Sequence, residues 1–164
     1  MTGEIPNASV GTVVSVRAGR VAAYARPDWD QRRALPWKTA FWKDEVPGPV
    51  RVRLLGLAGD EQADKRSHGG PQMAVLMYAG RHYADWRRLP GLERMGPGGF
   101  GENLTLDGAD ETSVCVGDVL EVGGARLQIA SPRGPCAAIS RRWNAEWLLK
   151  IGRASCRERV YVLV

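Results

Sequence analysis

Cys136 follows a loop pinned by two prolines, in the stretch SPRGPCAAISRR spanning 131–142. Pro132 and Pro135 fix φ and remove backbone donors, so the loop is stiff and any strand before it must end there. A stiff loop loses little entropy when held in one shape, which suits a side chain that has to point at a target. The thiolate is the form of cysteine that attacks or ligates, and a cation such as Arg133, three residues earlier, favours it. A small buried hydrophobe at the end of a strand accounts for the same residue equally well.

Other segments carry similar pairs of readings. GDEQADKRSHGGP (59–71) sets Lys65, Arg66 and His68 beside the flexible Gly69 and Gly70, whose amides can approach a phosphate; a solvated turn fits too. His68 is either a cofactor contact or a hydrogen-bonded loop residue. WKTAFWK (37–43) offers the charge of Lys38 and the hydroxyl of Thr39 to an oxyanion, against the ordinary case of a solvated lysine. In FGENL (100–104), Asn103 can donate and accept toward a pterin or base, or satisfy its own turn. Cys136 with His68 or His82 would make a Cys-His hydrolase if the fold brought them together. GPGGFG spells GxGxxG through Gly96, Gly98 and Gly101, but no strand precedes it and no helix follows, so a dinucleotide turn is excluded.

These residues need elements to position them. SVGTVVSVRAG predicts a strand ending at a glycine turn, and 24–49, rich in proline, tryptophan and charge, an irregular connection. VRVRLLGLAGD (50–60) reads as strand and turn, and MAVLMY (73–78) as a short buried strand. AGRHYADWRRL (79–89) has helical spacing, with Tyr83 and Trp86 on one side and a stop at Pro90 and Gly91. GPGGFGENLTL is a glycine turn into a strand. VGDVLEV and ARLQIA flank Gly123 and Gly124 as a hairpin, and the second strand runs into SPRGPC. CAAISRRWNAEWLLK (136–150) reads as helix. The expected fold is mainly β, a barrel with a few short helices.

With 164 residues, 44% of them hydrophobic and 25% charged, the chain has the composition of one soluble globular domain. Its start lacks a secretion signal and no apolar run has membrane-spanning length, so the expectation is a cytoplasmic protein with no membrane partner. Cys115, Cys136 and Cys156 are too scattered for a disulfide framework or zinc knuckle. The decapeptide IGRASCRERV (151–160) matches one reading frame of a widely used sequencing adapter. Residues 151–164 are therefore expected to be a non-native tail, leaving 9–150 as the domain. Dropping the decapeptide's three arginines and one glutamate takes the formal net charge of +5 to +3, too mild to argue for nucleic acid.

In their order along the chain these motifs resemble the MOSC family, related to the C-terminal part of molybdenum cofactor sulfurases, and within it the YiiM-like branch of small bacterial proteins. The resemblance runs from about residue 9 to 150 through KTAFWKDEVPGPVRVRLLGLAGDEQADKRSHGGPQMAVLMY, HYADW, FGENL, VGDVLEV and ASPRGPC. It implies a MOSC-type β-barrel whose natural C-terminal helical part is missing here. It implies the molybdenum cofactor, a pyranopterin dithiolene, with Cys136 ligating the metal and Lys38 and Thr39 at the active site. Arg66, His68, Asn103 and Arg133 are assigned to the pterin and its phosphate. The implied activity is reduction of N-hydroxylated compounds of the hydroxylaminopurine or amidoxime type, a detoxification of such bases. Two electrons would come from an external reductase, with a homodimer left open. The alternative is a sulfur carrier or cofactor-binding module with a persulfide on Cys136.

Overall fold

Strand Val75–Ala79 buries all five of its residues, as a short continuous apolar run does in a strand covered on both faces. It is the seventh strand in a computed structural model of the chain, which describes residues 9–32 and 34–150 and the backbone of 159–163. The elements in order are β1 (Thr12–Ala18), β2 (Ala22–Tyr24), β3 (Trp37–Thr39), β4 (Asp44–Glu45), β5 (Val52–Arg53) and β6 (Gly56–Leu57). Then come α1 (Lys65–His68), β7 (Val75–Ala79), α2 (Tyr83–Trp86), β8 (Leu104–Asp107), β9 (Val119–Val122), β10 (Ala125–Pro132), α3 (Ala137–Arg142) and β11 (Arg159–Leu163).

Seven strands form one sheet in the order β4-β1-β8-β7-β11-β10-β9, and β2-β3 and β5-β6 form two small ladders. Every pair in the large sheet is antiparallel except β7 with β8, whose parallel pairing requires the long crossover through α2. Val13 and Val16 of β1 meet Leu120 and Val122 of β9 in one apolar cluster, with Val75, Met77, Leu104, Leu127 and Ile129 between them. Strands far apart in the order thus share one interior, and the architecture is mainly β with a few short helices, as expected. A second cluster, of Trp37, Phe41, Tyr78, Tyr83, Trp86 and Phe100 among others, packs on the opposite face of β7.

Several elements are shorter than their patterns predict. The stretch 79–89 is a 3-10 turn, Gly80–His82, followed by the single α turn of α2, in which Tyr83 and Trp86 are both buried. The helix expected over 136–150 breaks after Arg142, where Asn144 takes the left-handed conformation at φ 49° and its Oδ1 accepts from Trp29 Nε1 at 3.0 Å. VRVRLLGL becomes a two-rung hairpin because Leu54 and Leu55 turn outward at its tip, both more than half exposed. α1 is unpredicted; the Asp64 side chain caps it by accepting from the amides of Arg66 and Ser67.

The expectation of a non-native tail falls on residues outside the described ones, apart from the backbone of Arg159–Leu163, which pairs with β7 on one side and β10 on the other. Among the described residues no helix is long and apolar enough to cross a membrane.

Candidate functional site

β10 carries the chain to Pro132, and the next residue, Arg133, is buried. Pro135 then delivers Cys136 in extended conformation, φ −120° and ψ 162°, as the residue capping α3. Arg133 Nη2 lies 3.7 Å from Cys136 Sγ, and its Nη1 donates to the Phe100 carbonyl at 3.4 Å. Burial pushes the Cys136 thiol up. A hydrogen bond from His68, the Arg133 charge and the Ala138 amide outweigh it and bring the thiol from 9.0 down to about 6. The loop that looked stiff in sequence therefore holds a sulfur that is largely thiolate at neutral pH.

Lys38, Thr39, His68, Asn103, Arg133 and Cys136 all line one cavity of about 290 Å³. Lys38 is exposed at its edge, while Thr39 is buried and its Oγ1 accepts from the Phe41 amide at 3.1 Å. Arg66 is not brought into this lining and sits exposed on α1. Asn103 reaches the cavity, but its amide is committed: Oδ1 accepts from Leu76 N at 3.0 Å, and Nδ2 donates to Arg17 O at 3.1 Å and to Asp60 Oδ2 at 2.9 Å. Of the two histidines weighed as partners for Cys136, His68 meets it, whereas His82 is paired with Glu111 at 3.0 Å in another part of the fold.

Four residues of the lining were not singled out in the sequence: Lys43, Asp60, Trp37 and Arg141. Lys43 Nζ contacts Asp60 Oδ1, which also accepts from Gly19 N at 2.8 Å; both side chains are less than a tenth exposed. Burial pulls the Lys43 ammonium below the usual lysine range, against the opposing pull of Asp60. Arg141 Nε donates to Asp30 Oδ2 at 2.6 Å, and its guanidinium lies over Trp37 at 5.3 Å. Their only sequence signal was that all four fall inside segments already marked, Trp37 and Lys43 in 37–43, Asp60 in 59–71 and Arg141 in 131–142. Gly101 completes the wall at φ 71°, where a Cβ would stand 2.9 Å from the Phe41 ring, so close approach and backbone geometry both require glycine.

Among the described residues there is no group of three or more His, Cys, Asp or Glu side chains that could hold a metal ion by itself. The donor set is one soft thiolate in a lining of four cations, Lys38, Lys43, Arg133 and Arg141, and three carboxylates, Asp60, Glu61 and Asp64. That fits a metal arriving with sulfur ligands of its own and does not suit a bare ion needing a protein cage. A mainly β domain with a cavity lined by one activated cysteine is the class that the fold and site define.

The chain belongs to the MOSC domain family, whose model matches residues 64–162. It is 38% identical over 133 residues to Protein YiiM of Escherichia coli (strain K12), covering 80% of this chain and 55% of that protein. It is 33% identical to a protein named Reductase from Gibberella moniliformis, covering 94% of this chain and 28% of that one. The crystal structure of YiiM from Geobacillus stearothermophilus superposes with a TM-score of 0.68 at 25% identity, covering 94% of this chain and 67% of that chain. The chain spans about half the length of the bacterial relatives YiiM and YflK, at 55% and 52%.

Proposed function

We propose that this protein is a molybdenum-cofactor-dependent reductase of N-hydroxylated compounds, of the hydroxylaminopurine or amidoxime type, working with an external electron-donating reductase. The observation that carries the reading is the Cys136 thiolate, brought to about 6 by His68 and Arg133 in a lined cavity. When bound, the cofactor supplies the two-electron chemistry that removes oxygen from nitrogen.

The chain's own residues have distinct parts in this. Cys136 provides the metal's protein ligand and is held deprotonated for it. Arg133 fixes the sulfur from one side and, through the Phe100 carbonyl, ties it to the loop before β8. Lys38 and Thr39, on β3, face the same cavity and hold the leaving oxygen or the incoming substrate. Asn103 acts one step removed, by fixing Asp60 and with it Lys43. Arg66, outside the lining, would touch only a group that projects from the cavity.

The test is molybdenum content per chain after expression in a host that makes the cofactor, for wild type and Cys136→Ala. Near-stoichiometric metal that falls sharply in the variant supports the reading and calls for assays with N-hydroxylated bases. A folded wild type without molybdenum removes it.

A second reading, a sulfur carrier with a persulfide on Cys136, is favoured by the same His68 contact, which would stabilise an anionic sulfur. Sulfane sulfur bound to Cys136 in place of metal would select it.

A further inference from the structure

Arg141 is one helix face away from the activated cysteine. Cys136 caps α3, and Ala137, Ala138 and Arg141 line the cavity at the spacing that puts residues on one side of a helix. The two alanines leave room along the wall. Arg141 lies five residues beyond Cys136, about 7.5 Å along the helix axis.

Its guanidinium is held more firmly than a surface arginine. Nε donates to Asp30 Oδ2 at 2.6 Å, the plane lies over the buried Trp37 ring at 5.3 Å, and the side chain is only 14% exposed. Asp30 is itself saturated. The same Oδ2 accepts from Arg26 Nη1 at 2.8 Å, and Oδ1 accepts from the Arg32 amide at 3.0 Å. One carboxylate therefore faces two guanidiniums, which leaves a positive charge in excess at the cavity wall. The Nη1 and Nη2 donors of Arg141 have no hydrogen-bond partner among the described residues.

The neighbouring charged groups make no hydrogen bond to those two donors. Lys43 is neutralised by Asp60 within the wall. Glu61 and Asp64, also in the lining, are exposed and already accept from backbone amides, of Val21 at 2.7 Å and of Arg66 at 3.0 Å. Lys38, next to Trp37 on β3, adds a second cation to the same lining, beside those two carboxylates. An arginine whose Nε is anchored keeps two parallel donors in a fixed plane, the geometry that grips a phosphate through two oxygens.

We infer that Arg141, anchored by Asp30 and laid over Trp37, is the phosphate-monoester fork of the Cys136 cavity. The phosphate has two chemical sources, the terminal phosphate of a pterin cofactor or that of a nucleotide substrate. The inference shares its cavity with the proposed cofactor site, but its test is read from binding to metal-free protein, so either can fail without the other.

The experiment measures binding to the metal-free protein by calorimetry. Two pairs of probes are used: a purine nucleoside 5′-monophosphate against its nucleoside, and a metal-free pyranopterin monophosphate against its dephosphorylated form. Arg141→Gln is expected to weaken the phosphorylated member of one pair about ten- to a hundredfold, and its unphosphorylated partner less than about twofold. The pair that responds identifies the source. Arg141→Lys recovers part of the loss, because it keeps charge without the fork. Asp30→Asn, which loosens the anchor, gives an intermediate loss and serves as the second reading if Arg141→Gln does not fold. Equal loss for phosphorylated and unphosphorylated probes, or no dependence on Arg141 in either pair, overturns the assignment.

Discussion

Asn103 Nδ2 donates to Asp60 Oδ2 at 2.9 Å across 43 residues of chain, joining the residue before β8 to the loop that carries the buried ion pair. The same side chain satisfies Leu76 N and Arg17 O, so one amide ties β1, β7 and the cavity loop together. Asn103→Ala strips a partner from three buried or half-buried groups and is expected to cost about 2–4 kcal/mol. Asn103→Asp keeps the acceptor for Leu76 but sets a second carboxylate against Asp60, so its stability should fall as pH rises and the introduced carboxyl ionises. Urea unfolding at two pH values checks both; an Asn103→Ala variant with wild-type stability would show that these bonds contribute nothing net.

Glu102 is a structural counterpart to this amide and lies outside the cavity lining. Its fully buried carboxylate accepts from Gly98 N at 2.6 Å, Phe100 N at 3.1 Å, Thr105 Oγ1 at 2.9 Å and the Tyr83 hydroxyl. Burial, followed by the nearby Glu102 charge, holds the Tyr83 phenol well above the usual tyrosine range, so it stays a donor. Glu102→Gln puts an amide donor where only donors point and should destabilise by about 2–4 kcal/mol, more than Tyr83→Phe, which removes one bond. Thermal melts of the two variants test that order, and the reverse order would contradict it.

Local chemistry was legible in the sequence and long-range pairing was not. The proline-held Cys136 loop, the Gly123-Gly124 hairpin and the buried β7 each declare themselves within about ten residues of chain, because turn chemistry and hydrophobic period are local properties. Helix lengths were overestimated where a tertiary contact ends the element, as Trp29 does at Asn144. The Lys43–Asp60 pair and the Asp30–Arg141 anchor span 17 and 111 residues, and no periodicity encodes such meetings. Arg66 looked as suited to an anion as Arg133, but α1 leaves it exposed while β10 carries Arg133 inside.

The backbone of β11 pairs Val162 with both Val75 of β7 and Ile129 of β10. Ending the chain at Lys150 would leave both neighbours with unpaired ladders in the middle of the sheet, so cooperative unfolding should be lost, as followed by circular dichroism. We propose separately that 151–160 derive from adapter sequence; resequencing the locus tests this, and native sequence reading through the decapeptide ends it. A chain carrying the locus's own continuation should then melt higher than this one, and equal melting temperatures would refute that.

Titration of Cys136 in the metal-free protein gives the most direct reading of the site. Alkylation by iodoacetamide follows the thiolate fraction, so its rate should reach half its maximum near pH 6 and not near 9.0. A Cys115→Ser, Cys156→Ser background leaves one thiol to report. Arg133→Met and His68→Gln each remove a group that favours the thiolate, and each should move the midpoint upward. The linkage to stability has a definite sign. A thiol whose folded value is depressed binds fewer protons folded than unfolded between about 6 and 9.0, so stability rises with pH across that window. The contribution is fully present above 9.0 and is lost as pH falls through about 6. A wild-type midpoint at the ordinary thiol value, unmoved by Arg133→Met, would mean that burial prevails over the surrounding donors and that Cys136 is not a preformed ligand.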